Sequence, residues 1–414
     1  MRWLALVPVV LAAALLGRAP HRPVKRLPAG VIELHSEMLV DADLQGDPAG
    51  TVLRVAPDFD GRAAIVVQAN GVHLRDLTVE GNRDTHEIRA GLPPYNVPFA
   101  RFTRSNGVLA VGVDGLAITR VRFRNIGGFA VLASRARRVS IDHVVVSASG
   151  SRNAAGKNNT TGGILLEEGS AGFSVTDCDI RNVLGNGVWT HSLYTSPRNG
   201  PGRITDNTFA TVGRDAIQVG HALGIDVVSN RGRDIGFPED VVDATPAALD
   251  TAGNVERSAY ANNRFDHING KCIDLDGFHD GEVRGNICNA VGGYGIVMNN
   301  TNPDMQSRNI RVVENQLHDV MYGGIFVIGT GHEVARNGLF DLNTSHCDGC
   351  GYVPGEPDML HSGIYLGRRA ERPAPASGNV VEYNEITGYK MNARCVASAP
   401  GISGNTIRGN RCGE

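Results

Sequence analysis

Lysine occurs four times in 414 residues, aromatic side chains make up 6%, and neither sign of charge dominates: 40 Lys+Arg stand against 43 Asp+Glu, for a net charge of −3. That balance excludes the bulk basic field by which proteins hold nucleic acid or anionic lipid. What the chain has in excess is glycine, 52 residues, where a typical protein uses about 7%. Abundant glycine with few aromatics implies many tight turns and short strands, and excludes an ordinary helical protein. A hydrophobic content of 42% also excludes a disordered chain and supplies a sizeable core.

Residues 1–19 begin Met1-Arg2-Trp3, run apolar from Leu4 to Leu16, and end Gly17-Arg18-Ala19. A basic start, a short apolar stretch and a small-x-small end have the shape of a secretory signal. The apolar run is too short for a comfortable membrane span. The expectation is a signal peptide over 1–19 and a single exported domain over 20–414, secreted or periplasmic, where disulfides are permitted. An uncleaved anchor is the alternative.

The chain repeats itself. One half of the unit ends in Asn, as in Ile204-Thr-Asp-Asn207, Val227-Val-Ser-Asn230, Tyr260-Ala-Asn-Asn263, Val283-Arg-Gly-Asn286, Val313-Glu-Asn315, Val334-Ala-Arg-Asn337, Val381-Glu-Tyr-Asn384 and Ile402-Ser-Gly-Asn405. The spacings are 23, 33, 23, 29, 22, 47 and 21 residues. The other half pairs a small residue with an aliphatic one: Gly163-Ile164, Gly187-Val188, Ala216-Ile217, Cys272-Ile273, Gly295-Ile296, Gly324-Ile325 and Gly363-Ile364. A base period of 21–24 is too short for two-helix repeats or propeller blades. It fits a solenoid of about three short strands per turn, each pairing in parallel with its equivalent ~4.8 Å along the axis. Asn is expected at the turns because it tolerates the left-handed conformation, and stacked amides can bond from turn to turn.

This organisation resembles the right-handed parallel β-helix of the pectin lyase-like superfamily over roughly residues 30–414. The resemblance implies an all-β fold. It leaves activity open, because the superfamily includes polysaccharide lyases, polygalacturonase-type hydrolases, uronate epimerases, tailspikes and adhesins.

Long polar segments precede the strands that start at the Gly-Ile signal (83–104, 150–161, 236–254 and 345–362) or follow them (193–202, 300–308 and 368–377). Loops on both edges of one sheet would wall a groove, where members of this superfamily bind extended polysaccharides. With Ile164 and its equivalents inward, alternation turns Leu165, Trp189, Gln218, Asp274, Val297, Phe326 and Tyr365 outward. Two residues later come Glu167, His191, Gly220, Asp276, Asn299, Ile328 and Gly367. The 56 residues between Ile217 and Ile273 imply a turn hidden in the 236–254 insertion, so Gln218 and Asp274 are expected two turns apart.

The stretch Lys271-Cys-Ile-Asp-Leu-Asp-Gly-Phe-His-Asp280 carries the candidate chemistry. Asp274 and Asp276 alternate around Leu275 and emerge on one face, ~6.6–7 Å apart at the backbone. Close carboxylates whose pKa values are pushed apart make an acid and a base, at separations used by inverting glycosidases. The leading expectation is therefore a glycoside hydrolase-type enzyme acting on a polysaccharide or oligosaccharide. Asp274, Asp276, His279 and Lys271 are the catalytic candidates; Trp189, His191, Glu167, Gln218, Asn299, Tyr365 and Asp280 are the substrate-binding ones. Trp189 is expected as an exposed platform for a sugar ring. No cofactor is needed for hydrolysis, and a calcium ion on the paired Asp residues is an alternative use of them.

Family signatures match in part. Gly220-His221-Ala222 echoes the Gly-His-Gly of polygalacturonase-like hydrolases, but their Arg-Ile-Lys is absent. Asp276-Gly-Phe-His-Asp280 is similar to the Asp-Pro-His-Asp of uronate C5-epimerases, with one residue more and no Pro. A lyase or epimerase using Lys271 or His279 as base is one alternative; a non-catalytic carbohydrate-binding scaffold or adhesin is another. Of seven cysteines, Cys395 and Cys412 are a plausible staple, and the odd count leaves a free thiol. His346-Cys-Asp-Gly-Cys350 with His361 has zinc-ligand types, although a small disulfide loop suits an exported protein better.

Overall fold

The computed structural model describes residues 23–413 apart from 86–90, 159, 243, 301–306, 345, 352–361, 369–373 and 390–393. The expected signal, 1–19, and His361 lie outside the described residues. Strands from Val24–Arg26 to Arg411–Cys412 coil into three parallel sheets of fourteen strands each, visited in rotation save that Lys271–Asp276 and Phe278–His279 follow one another in the third sheet. This is the right-handed parallel β-helix, with three short strands per turn. Among the described residues no helix is long and apolar enough to cross a membrane.

Period-two alternation makes the core. In the third sheet Val131, Ile164, Val188 and Ile217 pair rung on rung and point inward, each no more than 1% exposed. Ile141, Val175, Ile204 and Val227 do the same in the first sheet. Each such side chain contributes roughly 1.5–3 kcal/mol by leaving water, which offsets the entropy of ordering strands of three to seven residues.

The corner between the first and second sheets is a ladder of amides. Nδ2 of Asn207 donates to Oδ1 of Asn230 at 2.9 Å, and the chain of bonds continues through Asn263, Asn286, Asn315, Asn337 and Asn384 to Asn410. The left-handed residue is not the ladder Asn but the one before it: Asp206, Ser229, Asn262, Glu314, Arg336 and Tyr383 all have φ between 56° and 60°. Asn is therefore kept here for its amide, not for its backbone freedom. Asn405 belongs to another ladder, bonded by Asn379 at 3.0 Å.

The segment 236–254 is not all insertion. Its second half enters the strand Ala247–Glu256, which pairs with Ile217–Leu223 on one side and Lys271–Asp276 on the other. Gln218 and Asp274 are indeed two turns apart. Disulfides join Cys395 to Cys412, as expected, and also Cys272 to Cys288 and Cys347 to Cys350. Cys178 is a buried free thiol whose backbone N–H donates to Asn207 Oδ1 at 3.0 Å, and burial pushes its pKa up to about 12.

Candidate functional site

The outward face of the third sheet changes character along its length. One column of paired positions reads Leu109, Leu132, Leu165 and Trp189, then Gln218, Asp250 and Asp274, then Val297, Phe326 and Tyr365. Three polar rungs thus interrupt an apolar stripe.

The first apolar stretch is roofed. The helical turn Phe99–Phe102 lies over it, with the Phe99 ring 5.0 Å from Trp189 and 5.8 Å from Phe129, both edge-on. Glu167 holds the turn in place by accepting the backbone N–H groups of Phe99 at 2.8 Å and Ala100 at 2.9 Å. Trp189 is 7% exposed and Glu167 0%, so the open platform expected at Trp189 is not there and Glu167 does not face a ligand. Alternation gave the correct face for both; what covers them arrives from about ninety residues upstream. Burial drives the Glu167 carboxyl up to about 7, against the lowering effect of its two backbone donors. His191 packs 5.5 Å from Phe99 and 4.9 Å from Trp189, and burial lowers its pKa to about 4. His221 packs edge-on at 5.1 Å against Tyr194 of the 193–202 loop.

The polar rungs form one connected group. Asn186 Nδ2 donates to Gln218 Oε1 at 2.9 Å, and Gln218 Nε2 donates to Asp250 Oδ2. Asp250 and Asp274 are directly paired on adjacent strands. Asp274 Oδ2 lies 2.5 Å from Lys271 Nζ, and its Oδ1 accepts from Asn299 Nδ2 at 2.7 Å. Behind them, just before the strand Ile217–Leu223, Asp215 is 1% exposed and accepts the N–H of Ala247 at 2.8 Å. Arg214 Nε stands 3.5 Å from its other oxygen. Burial pushes Asp215 up to about 6. It pushes Asp250 well above the ordinary carboxylate range, and the charges of Asp215 and Asp274 add to that. Such a set holds one proton readily and resists losing it, as an acid near neutral pH must.

Asp276 emerges two residues beyond Asp274 on the same face, around buried Leu275, and pairs with Asn299. Lys271, its side chain 12% exposed, is committed to Asp274. His279 and Asp280 sit elsewhere. Pairing with the preceding strand jumps from Thr251–Leu275 to Val255–Phe278, so His279 falls past the irregularity and close to the first sheet. Its Nε2 meets Asn254 Oδ1 at 2.9 Å and its Nδ1 meets Asp280 Oδ2 at 2.8 Å. Asp280 also accepts from Arg308 and Asn309, while Arg198 clamps Asn254 and Glu256. These residues brace the rim, and both His279 ring nitrogens are engaged there. Tyr365 is half-buried, 6.0 Å from Phe326.

Sequence reasoning missed Asp250 and Asp215. Ala248-Leu249-Asp250 carries the same small-aliphatic signal as Ala216-Ile217 and could have revealed the strand, but the stretch reads whole as part of the 236–254 insertion. The walls are partly as expected: Lys157 Nζ donates to Asp240 O at 2.6 Å and Asn158 Nδ2 to Val241 O at 3.0 Å, locking the 150–161 loop onto 236–246.

Fold and face together place the chain among right-handed parallel β-helix proteins with a polar notch in one sheet. A family model described as "Right handed beta helix region" matches residues 251–340. No curated protein matches the sequence. Among solved structures, the catalytic domain of a GH87 alpha-1,3-glucanase, determined as an aspartate-to-alanine variant with tetrasaccharides, superimposes with a TM-score of 0.57 at 14% identity, covering 93% of this chain and 64% of that one. PfbA, a surface adhesin of Streptococcus pneumoniae, gives 0.55 at 11% identity, covering 91% and 85%. The Dettilon tailspike protein gives 0.54 at 12%, covering 90% and 62%. The chain thus spans less than two thirds of the glucanase domain and of the tailspike. At these identities the likeness is one of fold.

Proposed function

We propose that this chain is an extracellular carbohydrate-acting protein that hydrolyses a glycosidic bond at the polar notch, with Asp250 as general acid and Asp274 as general base. The observation that carries the reading is the pairing of these two carboxyls on adjacent rungs, with Asp215 buried behind them and one member driven towards its protonated form. Asp250 would protonate the leaving oxygen. Asp274, fixed by Lys271 and Asn299, would take a proton from water. Asp276, two residues further along the strand, is placed to bind the next sugar. No metal is called for in this scheme.

A neighbour named as a glucanase with bound tetrasaccharides supports a carbohydrate substrate. A neutral sugar suits the notch better than a uronate, since Asp215, Asp250 and Asp274 outnumber the cations Arg214 and Lys271 there and each cation is already paired with one of them. A lyase or epimerase would need Lys271 or His279 as base, and both are bound to other groups. The surface adhesin among the neighbours supports a second reading, binding without turnover. Incubation with neutral glucans and with uronate polysaccharides tests the proposal. New reducing ends from a neutral polymer, lost in Asp250→Asn, support hydrolysis; products with the ultraviolet absorbance of unsaturated uronates, or binding with no turnover on any polymer, overturn it.

A further inference from the structure

A second constellation lies at the corner between the second and third sheets, away from the notch. The strand Arg264–Ile268 ends there, and residues 346–351 fold back over it. This short loop is pinned at both ends: His346 N–H donates to Asp319 Oδ2 at 2.9 Å, and Gly351 N–H donates to Asn269 Oδ1 at 3.0 Å. Between the pins, the sulfurs of Cys347 and Cys350 lie 3.5 and 3.7 Å from the carbonyl oxygen of Ile268. Below them is Gly292, where an added Cβ would come within 2.7 Å of Cys350 Sγ and 3.2 Å of Cys347 Sγ. Only glycine leaves room for the sulfur pair.

His267 completes the group. A ring nitrogen and the two sulfurs all lie within 4.8 Å of one another. The ring is oriented twice over, by stacking on Phe237 at 4.4 Å and by the contact of Nδ1 with Asp234 Oδ1 at 2.7 Å. Nε2 is thereby aimed into the Cys-x-x-Cys loop, where it meets the carbonyl oxygen of Asp348 at 2.7 Å. A carboxylate on one imidazole nitrogen with the other pointing at thiols is the arrangement that prepares a histidine to ligate a metal.

We propose that His267, Cys347 and Cys350 form a site for a thiophilic divalent cation of the zinc class, filled when the two sulfurs are thiolates and closed when they are joined as the disulfide. Two thiolates and one imidazole supply three ligands of a tetrahedral set, leaving a fourth position for solvent. A dithiol reductant opens the closed form: two electrons pass to the Cys347–Cys350 bond, the reductant becomes a disulfide, and two thiols result. Each thiol releases its proton to solvent as it takes up the cation; Nε2, whose N–H faces the Asp348 carbonyl oxygen, likewise gives its proton to solvent and turns its lone pair to the metal. The two forms exclude each other, so loop 346–351 would report the redox state of the surroundings through metal content.

Cobalt(II), added alone to the chemically reduced full-length chain, is the probe. Thiolate ligation gives a charge-transfer band and a four-coordinate site gives intense visible bands. The expected result is one cobalt per chain with both signatures, displaced by zinc. His267→Ala should weaken binding more than tenfold and Asp234→Asn about tenfold, and the double variant C347S/C350S should lose the charge-transfer band while the other cysteines remain. The proposal is overturned if the band survives in the double variant, if His267→Ala binds cobalt as the parent does, or if a parent with both thiols titratable shows no band.

Discussion

Asp250 and Asp274 sit on adjacent strands as directly opposed partners, and one of them is bonded to an uncharged amide while the other is bonded to an ammonium. In the proposed reaction that asymmetry would separate acid from base. Burial and two like charges favour the protonated form of Asp250; Asp274, beside it, accepts from Lys271 and Asn299. Asp250→Asn and Asp274→Asn should each lower turnover at least ~100-fold, the usual range for a lost acid or base. Asp250→Asn keeps shape and still offers an oxygen to Gln218, so its thermal melt should shift little. Asp274→Asn sets an amide NH2 against Lys271 or Asn299 and leaves the ammonium without its partner, so it should melt lower than the parent. A variant that melts like the parent and still turns over at the parental rate would remove that residue from the chemistry.

The raised pKa values also set how stability depends on pH. A carboxyl whose folded value lies above its unfolded one binds more protons when folded, so its neutral form favours folding and stability falls as pH rises between the two values. For Glu167 that window runs from 4.5 to about 7. The difference amounts to about 3 kcal/mol at most. Melting temperature should therefore decline across this range, and Glu167→Gln should flatten the decline, while lowering the acid-side value by the loss of one acceptor for Phe99 or Ala100. Paired melts from pH 4 to pH 8 measure the slopes; parallel curves would show that Glu167 does not titrate in this window.

The coil itself was legible, and so was the outward face of Trp189, Gln218 and Asp274, because both follow from period-two alternation and a recurring turn amide; Ile328, expected outward, lies past the end of its strand and is buried in the main core. Two kinds of information were not. The strand start Ala248-Leu249 carries the same small-aliphatic pair as Ala216-Ile217, but it follows a long polar stretch and reads with it as insertion, which conceals Asp250. And a column of outward side chains does not say what lies above it: Trp189 reads as an open platform until Phe99 is found on it. The turns held a third lesson. The positive φ falls on the residue before each ladder Asn, which only the backbone shows.

The roof makes its own prediction. Phe99 is 5% exposed and meets Trp189, Phe129 and His191, so its removal opens a cavity over the sheet. Phe99→Ala should cost roughly 3 kcal/mol in denaturant melts. Water reaching the Trp189 ring should shift its fluorescence to longer wavelength, and dynamic quenchers should reach it. Unchanged emission with unchanged stability would mean that the helical turn does not rest on Trp189 in solution.

The amide ladder predicts a gradient of mutational cost along the axis. Asn286 makes four bonds: Nδ2 donates to Tyr260 O at 2.8 Å and to Asn315 Oδ1 at 2.9 Å, while Oδ1 accepts the backbone N–H of Asn263 at 3.1 Å and its Nδ2 at 2.8 Å. Alanine there strands a buried N–H and interrupts the ladder in both directions, in a place where Asn286 is 1% exposed. A single orphaned buried group costs about 1–3 kcal/mol, so Asn286→Ala should lose at least ~3 kcal/mol. Asn410 ends the ladder, half-buried, and accepts from Asn384 without passing the chain of amides further among the described residues. Asn410→Ala should therefore cost clearly less, on the order of 1 kcal/mol. Equal losses at the two positions would mean that each amide acts only on its own corner and that no bonding is relayed from rung to rung.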